Sequence, residues 1–332
     1  METTPPSGYF NVRKPAGITS RDLVNEVQRH IRTDTGFRKL KLGHTGTLDP
    51  LATGVMVLVV GTATRLTPWM LLHPKRYRGR FRLGQSSPSG DLETPVQHDP
   101  RPLPSRDVLE AVLPQFLGTI RQQPPAHSAI KIDGQRAHKR QRRGEVVNVP
   151  ERSVRIDHIT LESFQATEFV IDVGCGSGTY LRTLGKDIAE AADSTAVMTQ
   201  LERTAVGPFA VGDAVCLPSL SNGSQWREHL LPIETGLNHL RHLTVSAEDA
   251  LRLKNGLPID ADDKHGASFN PRNQTRPSAI NQDVSTSDVL AVTQEGRAIA
   301  ILREGTRAKE SMDAGWSRRV RFRPHRVFPS DA

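Results

Sequence analysis

A chain of 332 residues is long enough to bury a sizeable core and suggests two domains. Lysine and arginine outnumber acids 44 to 36, a formal charge of +8 that favours a polyanionic partner without requiring one. Two cysteines exclude a disulfide scaffold, and the absence of a signal pattern or of a membrane-length apolar run argues against export and a membrane helix. Cys175 and Cys216 match no metal spacing and are expected as buried thiols in a reducing, cytoplasmic compartment.

After a loose tail, residues 9–12 predict a short strand. Lys14-Pro15 and Gly17 make a turn, and Thr19 or Ser20 caps a helix whose Leu23, Val24, Val27 and Ile31 share one face. Arg29, Arg32, Arg38, Lys39 and Lys41 follow, either a solvated face or a set of phosphate contacts. The next stretch, GHTGTLDPLATGVMVLVV from Gly43 to Val60, crowds glycine, threonine and one histidine around Asp49. Pro50 disfavours the helical region at Asp49, and the short β-branched run 55–60 predicts a buried strand that anchors the loop. Two readings stand: a reactive carboxylate presented at a sheet edge, or a tight turn whose aspartate caps its own backbone.

Residues 75–83 alternate, with Arg76, Arg78, Arg80 and Arg82 on one face and Tyr77, Phe81 and Leu83 on the other, as a half-buried strand does. The arginines serve either solubility or a phosphate track. Val108, Leu109, Val112, Leu113 and Phe116 form a helical stripe that bends or ends near Pro114. From 122 to 155 the chain turns basic, with Lys131, Arg136, Lys139, Arg140, Arg142 and Arg143. Beside a nucleic-acid cleft such a loop supplies affinity and positioning; elsewhere it binds nothing specific. VIDVGCGSGTYLR, residues 170–182, looks like the strand and glycine loop of a nucleotide-cofactor domain, as in methyltransferases that use S-adenosylmethionine. That fold needs an acid roughly 20 residues on, at the end of a second strand. Glu190 and Asp193 fall instead in a stretch that predicts a helix, a short break and another helix, so the methyltransferase reading ranks second.

Beyond Asp213 the character changes. A short helix is expected between a Ser246 cap and Asn255-Gly256, and the polar stretch 262–288 reads as a flexible insertion. Residues 289–302 predict a hairpin turning near Glu295-Gly296, and SRRVRFRPHRVF predicts a last strand with alternating arginines.

Several of these segments share a source. GHTGTLDPLATGV resembles, almost residue for residue, the catalytic loop of the TruB family of tRNA pseudouridine synthases, and KPAGITSRDLV, with Lys14 at its head, is similar to the family block KPxGxTSxD. Tyr77 matches the family tyrosine on the following strand, and LGQSSPSGDLETP resembles an acidic, threonine-rich loop in which Asp91 is the nearest acid. The basic stretch resembles the insertion QxPPxYSAxKxxGxxxYxxAR, with His127 and His138 in place of two tyrosines, which leaves those ring contacts open. GTYLRTL supplies Tyr180 and Arg182 to the pattern GTYxRxL, and Leu201, Arg203, Thr204, Gly207 and Phe209 match LxRTxxGxF.

The resemblance implies an α+β fold: a mixed, mainly antiparallel central sheet flanked by helices. It places a catalytic domain at 9–238, with an RNA-gripping insertion at about 122–155, and a small PUA-like RNA-binding β domain at 239–332. It implies isomerisation of the uridine at position 55 in the tRNA T stem-loop. Asp49 would act as nucleophile or base, Arg182 would keep it ionised by lowering its pKa, and Tyr180 would take or relay the proton from C5. Tyr77 would stack on the flipped base with Leu201 beside it, His44 would fill the gap left in the stack, and Lys14, Asp91, Arg140, Arg142 and Arg143 would join in binding substrate. Arg182, two residues past Tyr180, would share its face on an extended strand. No redox change occurs and no group is imported, so no cofactor and no metal is expected. The partner is tRNA, and the chain reads as the stand-alone bacterial type, a monomer with no obligate protein partner, rather than the guide-RNA branch. A third reading, a non-catalytic RNA-binding protein, would keep the basic loops without needing Asp49, Tyr180 and Arg182 together.

Overall fold

The computed structural model describes residues 4–125, 131–132, 135–136, 149–262, 285, 288–305 and 319–328. His127, His138, Arg140, Arg142 and Arg143, with most of the 262–288 stretch, lie outside the described residues.

Among the described residues, ten strands form the main sheet. Eight run in the order Val215–Cys216, Gly8–Lys14, Thr53–Val60, Ala196–Val206, Lys75–Leu83, Glu168–Cys175, Arg152–Gln165 and Gly118–Gln122. Leu42–His44 pairs with Thr53–Val60, and Phe209–Ala210 with Ala196–Val206. Gly8–Lys14 runs parallel to Val215–Cys216 and Thr53–Val60 parallel to Ala196–Val206; the other pairings of this sheet are antiparallel. The mixed, mainly antiparallel α+β sheet expected from the sequence is therefore present.

The first helix spans Ser20–Thr35 and is closed at both ends as its sequence dictates. The Asp22 amide donates to Thr19 Oγ1 at 3.1 Å and the Thr19 amide donates back to Asp22 Oδ2 at 3.0 Å, while Gly36 ends the helix at φ +76°. Leu23, Val24, Val27 and Ile31 pack on Phe10, Val12, Met56 and Leu58. Toward the middle of the sheet, the helix Leu181–Ala191 sets Leu184, Ile188 and Ala189 against Phe81, Phe169 and Ile171. Its Gly185 lies where a Cβ would come within 1.9 Å of the Phe81 ring, so the helix can approach the sheet this closely only without a side chain there.

Three expectations are corrected. The segment after this helix is the central strand Ala196–Val206, not a second helix: Val197, Thr199, Thr204 and Val206 are β-branched, and pairing on both edges favours the extended state. Its neighbour Lys75–Leu83 runs antiparallel both to it and to Glu168–Cys175, so the glycine-rich stretch sits in no doubly wound parallel sheet and the methyltransferase reading falls. Cys175 is buried as expected, but Cys216 is exposed.

Among the described residues, a second sheet of five strands runs in the order Arg241–Thr244, Val289–Val292, Ala298–Glu304, Arg319–Val327 and Ile259–Asp262. The predicted hairpin turns at Gly296, φ +81°, and the helix Ala247–Lys254 is capped by Ser246. Leu290, Val292, Ile301 and Phe328 share one core with Tyr9, Val55, Val57 and Trp69 of the main sheet side. The Trp69 indole donates to Asp288 Oδ2 at 2.9 Å across that junction.

Candidate active site

The loop carrying Asp49 is held from below by four groups from distant parts of the chain. Ser20, the first residue of the first helix, donates its hydroxyl to Leu48 O at 2.8 Å and accepts from the Leu48 amide at 2.9 Å. The Gly17 amide donates to Pro50 O at 2.8 Å. Lys14 is fully buried and its ammonium donates to Pro15 O, Pro50 O and Ala52 O at 2.9, 3.2 and 2.8 Å. Arg203 donates from Nε to Val55 O at 2.7 Å and from Nη2 to Gly46 O at 3.0 Å. Gly54, at φ +97°, allows this closeness, since a Cβ there would stand 2.2 Å from Arg203 O. The loop is stiff because the Gly46, Leu48, Pro50 and Ala52 carbonyls all accept from these groups, and Asp49 is left standing above it.

The Asp49 carboxylate turns to Arg182, whose Nε lies 3.1 Å from Oδ2, and not to its own backbone. A third of the Asp49 side chain stays exposed while the arginine side chain is 4 % exposed. Behind it, Arg182 Nη1 lies 3.3 Å from Asp91 Oδ2 and donates to Ser89 O at 2.9 Å. Asp91 in turn accepts from the Ser89 hydroxyl at 2.6 Å and from the Glu93 amide at 3.0 Å. The guanidinium is thus shared between one carboxylate that faces the cleft and one that is sealed. Burial pushes the Asp49 carboxyl up from its ordinary range, with Asp91 and Glu93 adding to the rise; Arg182 and Lys14 oppose it. Arg182 lowers the Asp49 pKa as expected, but desolvation outweighs it, so the arginine limits a rise rather than setting a low value.

Above the pair opens a cleft of about 730 Å³, and Asp49, Arg182, Tyr180, Tyr77, Leu201 and His44 all line it. Tyr77 stands on Lys75–Leu83, 9 % exposed, and burial pushes its phenol up. Leu201 packs from the neighbouring central strand. Nδ1 of His44 accepts from the Gly46 amide at 3.3 Å, and burial beside Arg203 and Arg21 lowers its pKa to about 4, so its ring is neutral near pH 7. Tyr180 is the residue before the helix Leu181–Ala191, which places Arg182 in the first helical turn rather than on a strand; the helix, not strand alternation, aims it at Asp49.

Three expectations need restating. Lys14 spends its ammonium on the underside of the loop, and Asp91 is enclosed behind Arg182, so neither touches the cleft as a substrate contact. Arg76, Arg78, Arg80 and Arg82 are paired with Asp172, Glu162 and Glu168 on adjacent strands, which favours a solvated sheet face over a phosphate track. Arg203, Gln122 and Arg152 also build the site, and sequence reasoning gave them no role. Arg203 sat inside the LxRTxxGxF match and Gln122 inside the QxPP match, but neither position reveals which carbonyl or tyrosine it reaches.

A carboxylate paired with a buried arginine, flanked by two tyrosines at the centre of a mainly antiparallel sheet, is the arrangement that the resemblance to the pseudouridine synthases leads one to expect. The comparisons place it more narrowly. The model of the TruB family pseudouridylate synthase N-terminal domain matches residues 32–181. The tRNA pseudouridine synthase B of Rhodopirellula baltica is 47% identical over 264 residues, 76% of either chain. That of Gluconacetobacter diazotrophicus is 37% identical over 267 residues, 79% of this chain and 85% of the other. The chain belongs to the TruB family of pseudouridylate synthases. Among solved structures, a Cbf5–Nop10–Gar1 complex matches with a TM-score of 0.64 and 23% identity over 89% of this chain and 78% of the other. An H/ACA RNP bound to a substrate RNA containing 2′-deoxyuridine matches at 0.66 and 20% over 98% and 86%. At these identities the two structures speak for the fold.

Proposed function

We propose that this chain isomerises uridine to pseudouridine at position 55 in the T stem-loop of tRNA, with Asp49 as the reacting carboxylate. The observation that carries the reading is the Asp49–Arg182 pair at 3.1 Å, open to a cleft shared with Tyr77, Tyr180 and Leu201. The reaction breaks the C1′–N1 bond, turns the base and joins C1′ to C5; the C5 proton leaves and N1 gains one. Atoms and electrons balance within the nucleotide. Asp49 serves as nucleophile or base toward the sugar. Its ionised form is the reactive one, and Arg182 holds that form against the desolvation that opposes it. Tyr77 stacks on the extruded base, Leu201 closes its edge, and the Tyr180 phenol receives or relays the C5 proton. Extrusion from the stack costs roughly a few kcal/mol. Neutral His44, at the cleft rim, fills the space the base leaves.

The second sheet is read as a PUA-like RNA-binding module, and residues 140–143 as part of the grip on the stem-loop. We further propose a cytoplasmic monomer that works without a protein partner. The higher identity to the proteins named tRNA pseudouridine synthase B than to the chain from the Cbf5–Nop10–Gar1 complex supports the part of this reading that dispenses with a protein partner. A tRNA transcript incubated with the protein alone, then treated with carbodiimide and copied by reverse transcriptase, should show one stop, immediately 3′ of position 55. A transcript with cytidine there should show none. Stops elsewhere, or a need for S-adenosylmethionine, would overturn the assignment. Sedimentation should give the mass of one chain.

A further inference from the structure

Tyr180 is held from two sides by a single pair of strands. Gln122 and Arg152 lie opposite each other in the antiparallel pairing of Gly118–Gln122 with Arg152–Gln165. The Gln122 side chain is buried, and its carboxamide meets both backbone groups of the tyrosine: the Tyr180 amide donates to Oε1 at 2.8 Å, and Nε2 donates to Tyr180 O at 3.1 Å. Arg152 reaches the ring instead. Its guanidinium carbon stands 4.9 Å from the ring centroid, and Nη2 donates to Gly178 O. Gly178, at φ +89°, leaves room for that group, since a Cβ there would lie 3.2 Å from Arg152 Nη2. A cation over an aromatic face is attracted to it and fixes the plane of the ring. A tyrosine at a helix start has no short side chain to cap the first turn, and here it makes no such bond. The residue is therefore held from outside the helix.

We propose that Gln122 and Arg152 are positioning residues for Tyr180, Gln122 fixing its backbone and Arg152 the plane of its ring, so that the phenol oxygen meets C5 of the rotated base. This rests on the reading of the reaction given above. Catalysis is sensitive to such placement, because a displacement of about 1 Å can cost about a hundredfold in rate. An arginine at a cleft rim also suits a phosphate, and the two roles separate experimentally.

The test uses T stem-loop RNA tritiated at C5 of the target uridine. Tritium release is measured in single turnover at saturating protein, and RNA affinity separately across a salt series. Arg152→Ala should slow the saturated step at least tenfold while affinity stays within about threefold and the salt slope is unchanged. Arg152→Lys, which keeps the cation, should recover part of the rate. Gln122→Glu, which keeps the acceptor and loses the donor, should slow the same step. A loss confined to affinity, with the salt slope reduced by about one, would make Arg152 a phosphate contact and overturn the proposal. So would a slow variant with a lowered melting temperature that lysine does not rescue, or an Arg152→Ala protein as fast as wild type. Wild-type release with any of these results defeats this inference alone; no release by wild type defeats the reading of the reaction and this inference with it.

Discussion

Two effects act on Asp49 in opposite directions. Desolvation raises its pKa and the Arg182 guanidinium lowers it, and desolvation prevails. On the proposed reading the ionised carboxylate is the reactive form, so the rate should fall on the acid side through a pKa above the ordinary value of about 4. Arg182→Gln removes the opposing charge, so the acid limb of the pH–rate profile should move to higher pH; Arg182→Lys should move it less. A limb that stays in place in both variants would show that another group titrates. Beneath the loop, Lys14→Met leaves the Pro15, Pro50 and Ala52 carbonyls without their donor. That should cost about 2 kcal/mol of stability or more, read in denaturant melts, with activity lost as the loop loosens. The motif marked Lys14 as important; only its burial shows that it faces the loop and not the substrate.

At the scale of elements, the helix Leu181–Ala191 aims the arginine, and Gly185 lets the helix lie on Phe81. Helix propensity alone says that alanine improves on glycine by about 1 kcal/mol. Contact says otherwise, because the new Cβ would fall 1.9 Å from the Phe81 ring. Gly185→Ala should therefore lower the melting temperature and separate Arg182 from Asp49, with tritium release falling more than RNA affinity. A Gly185→Ala variant more stable than wild type would contradict this packing. Strands with a clean period of two, such as Lys75–Leu83, were legible from sequence, as were the capped helices at Thr19 and Ser246. Ala196–Val206 was not, because a centrally paired strand buried on parts of both faces lacks a clean alternation and its MTQLER core also suits a helix. The partners of Arg76, Arg78, Arg80 and Arg82 were equally out of reach, since they come from strands about 80 to 100 residues away in sequence.

At the scale of the molecule, the two sheets share a core, and histidines collect near their junction. The His73 and His239 rings lie 4.4 Å apart, with His73 Nε2 2.8 Å from Gly236 O. Burial lowers their pKa values to about 4 and about 3, helped by Lys75 near His73 and by His73 and then His242 near His239. A folded pKa below the unfolded value of about 6.5 means that the unfolded chain binds more protons between the two. Stability should thus be full above about pH 6.5 and fall as pH drops toward 4, on the order of 2 kcal/mol from His73 alone by pH 5. Melting temperatures from pH 7 to pH 5 should show the decline, and His239→Gln should flatten it. A profile as steep in that variant would locate the acid sensitivity elsewhere. None of this pairing could be read from the chain, where the two histidines stand far apart and each passes for an ordinary polar residue. The catalytic motifs were legible because they are short and local. Their convergence on one cleft was an expectation until the fold placed them there.

One measurement bears most directly on the Asp49 carboxylate as the seat of the chemistry: Asp49→Asn protein incubated with C5-tritiated T stem-loop RNA, release and binding recorded together. The expected result is RNA bound within a few-fold of wild type and no tritium in the water. Release at the wild-type rate from the asparagine protein would contradict it.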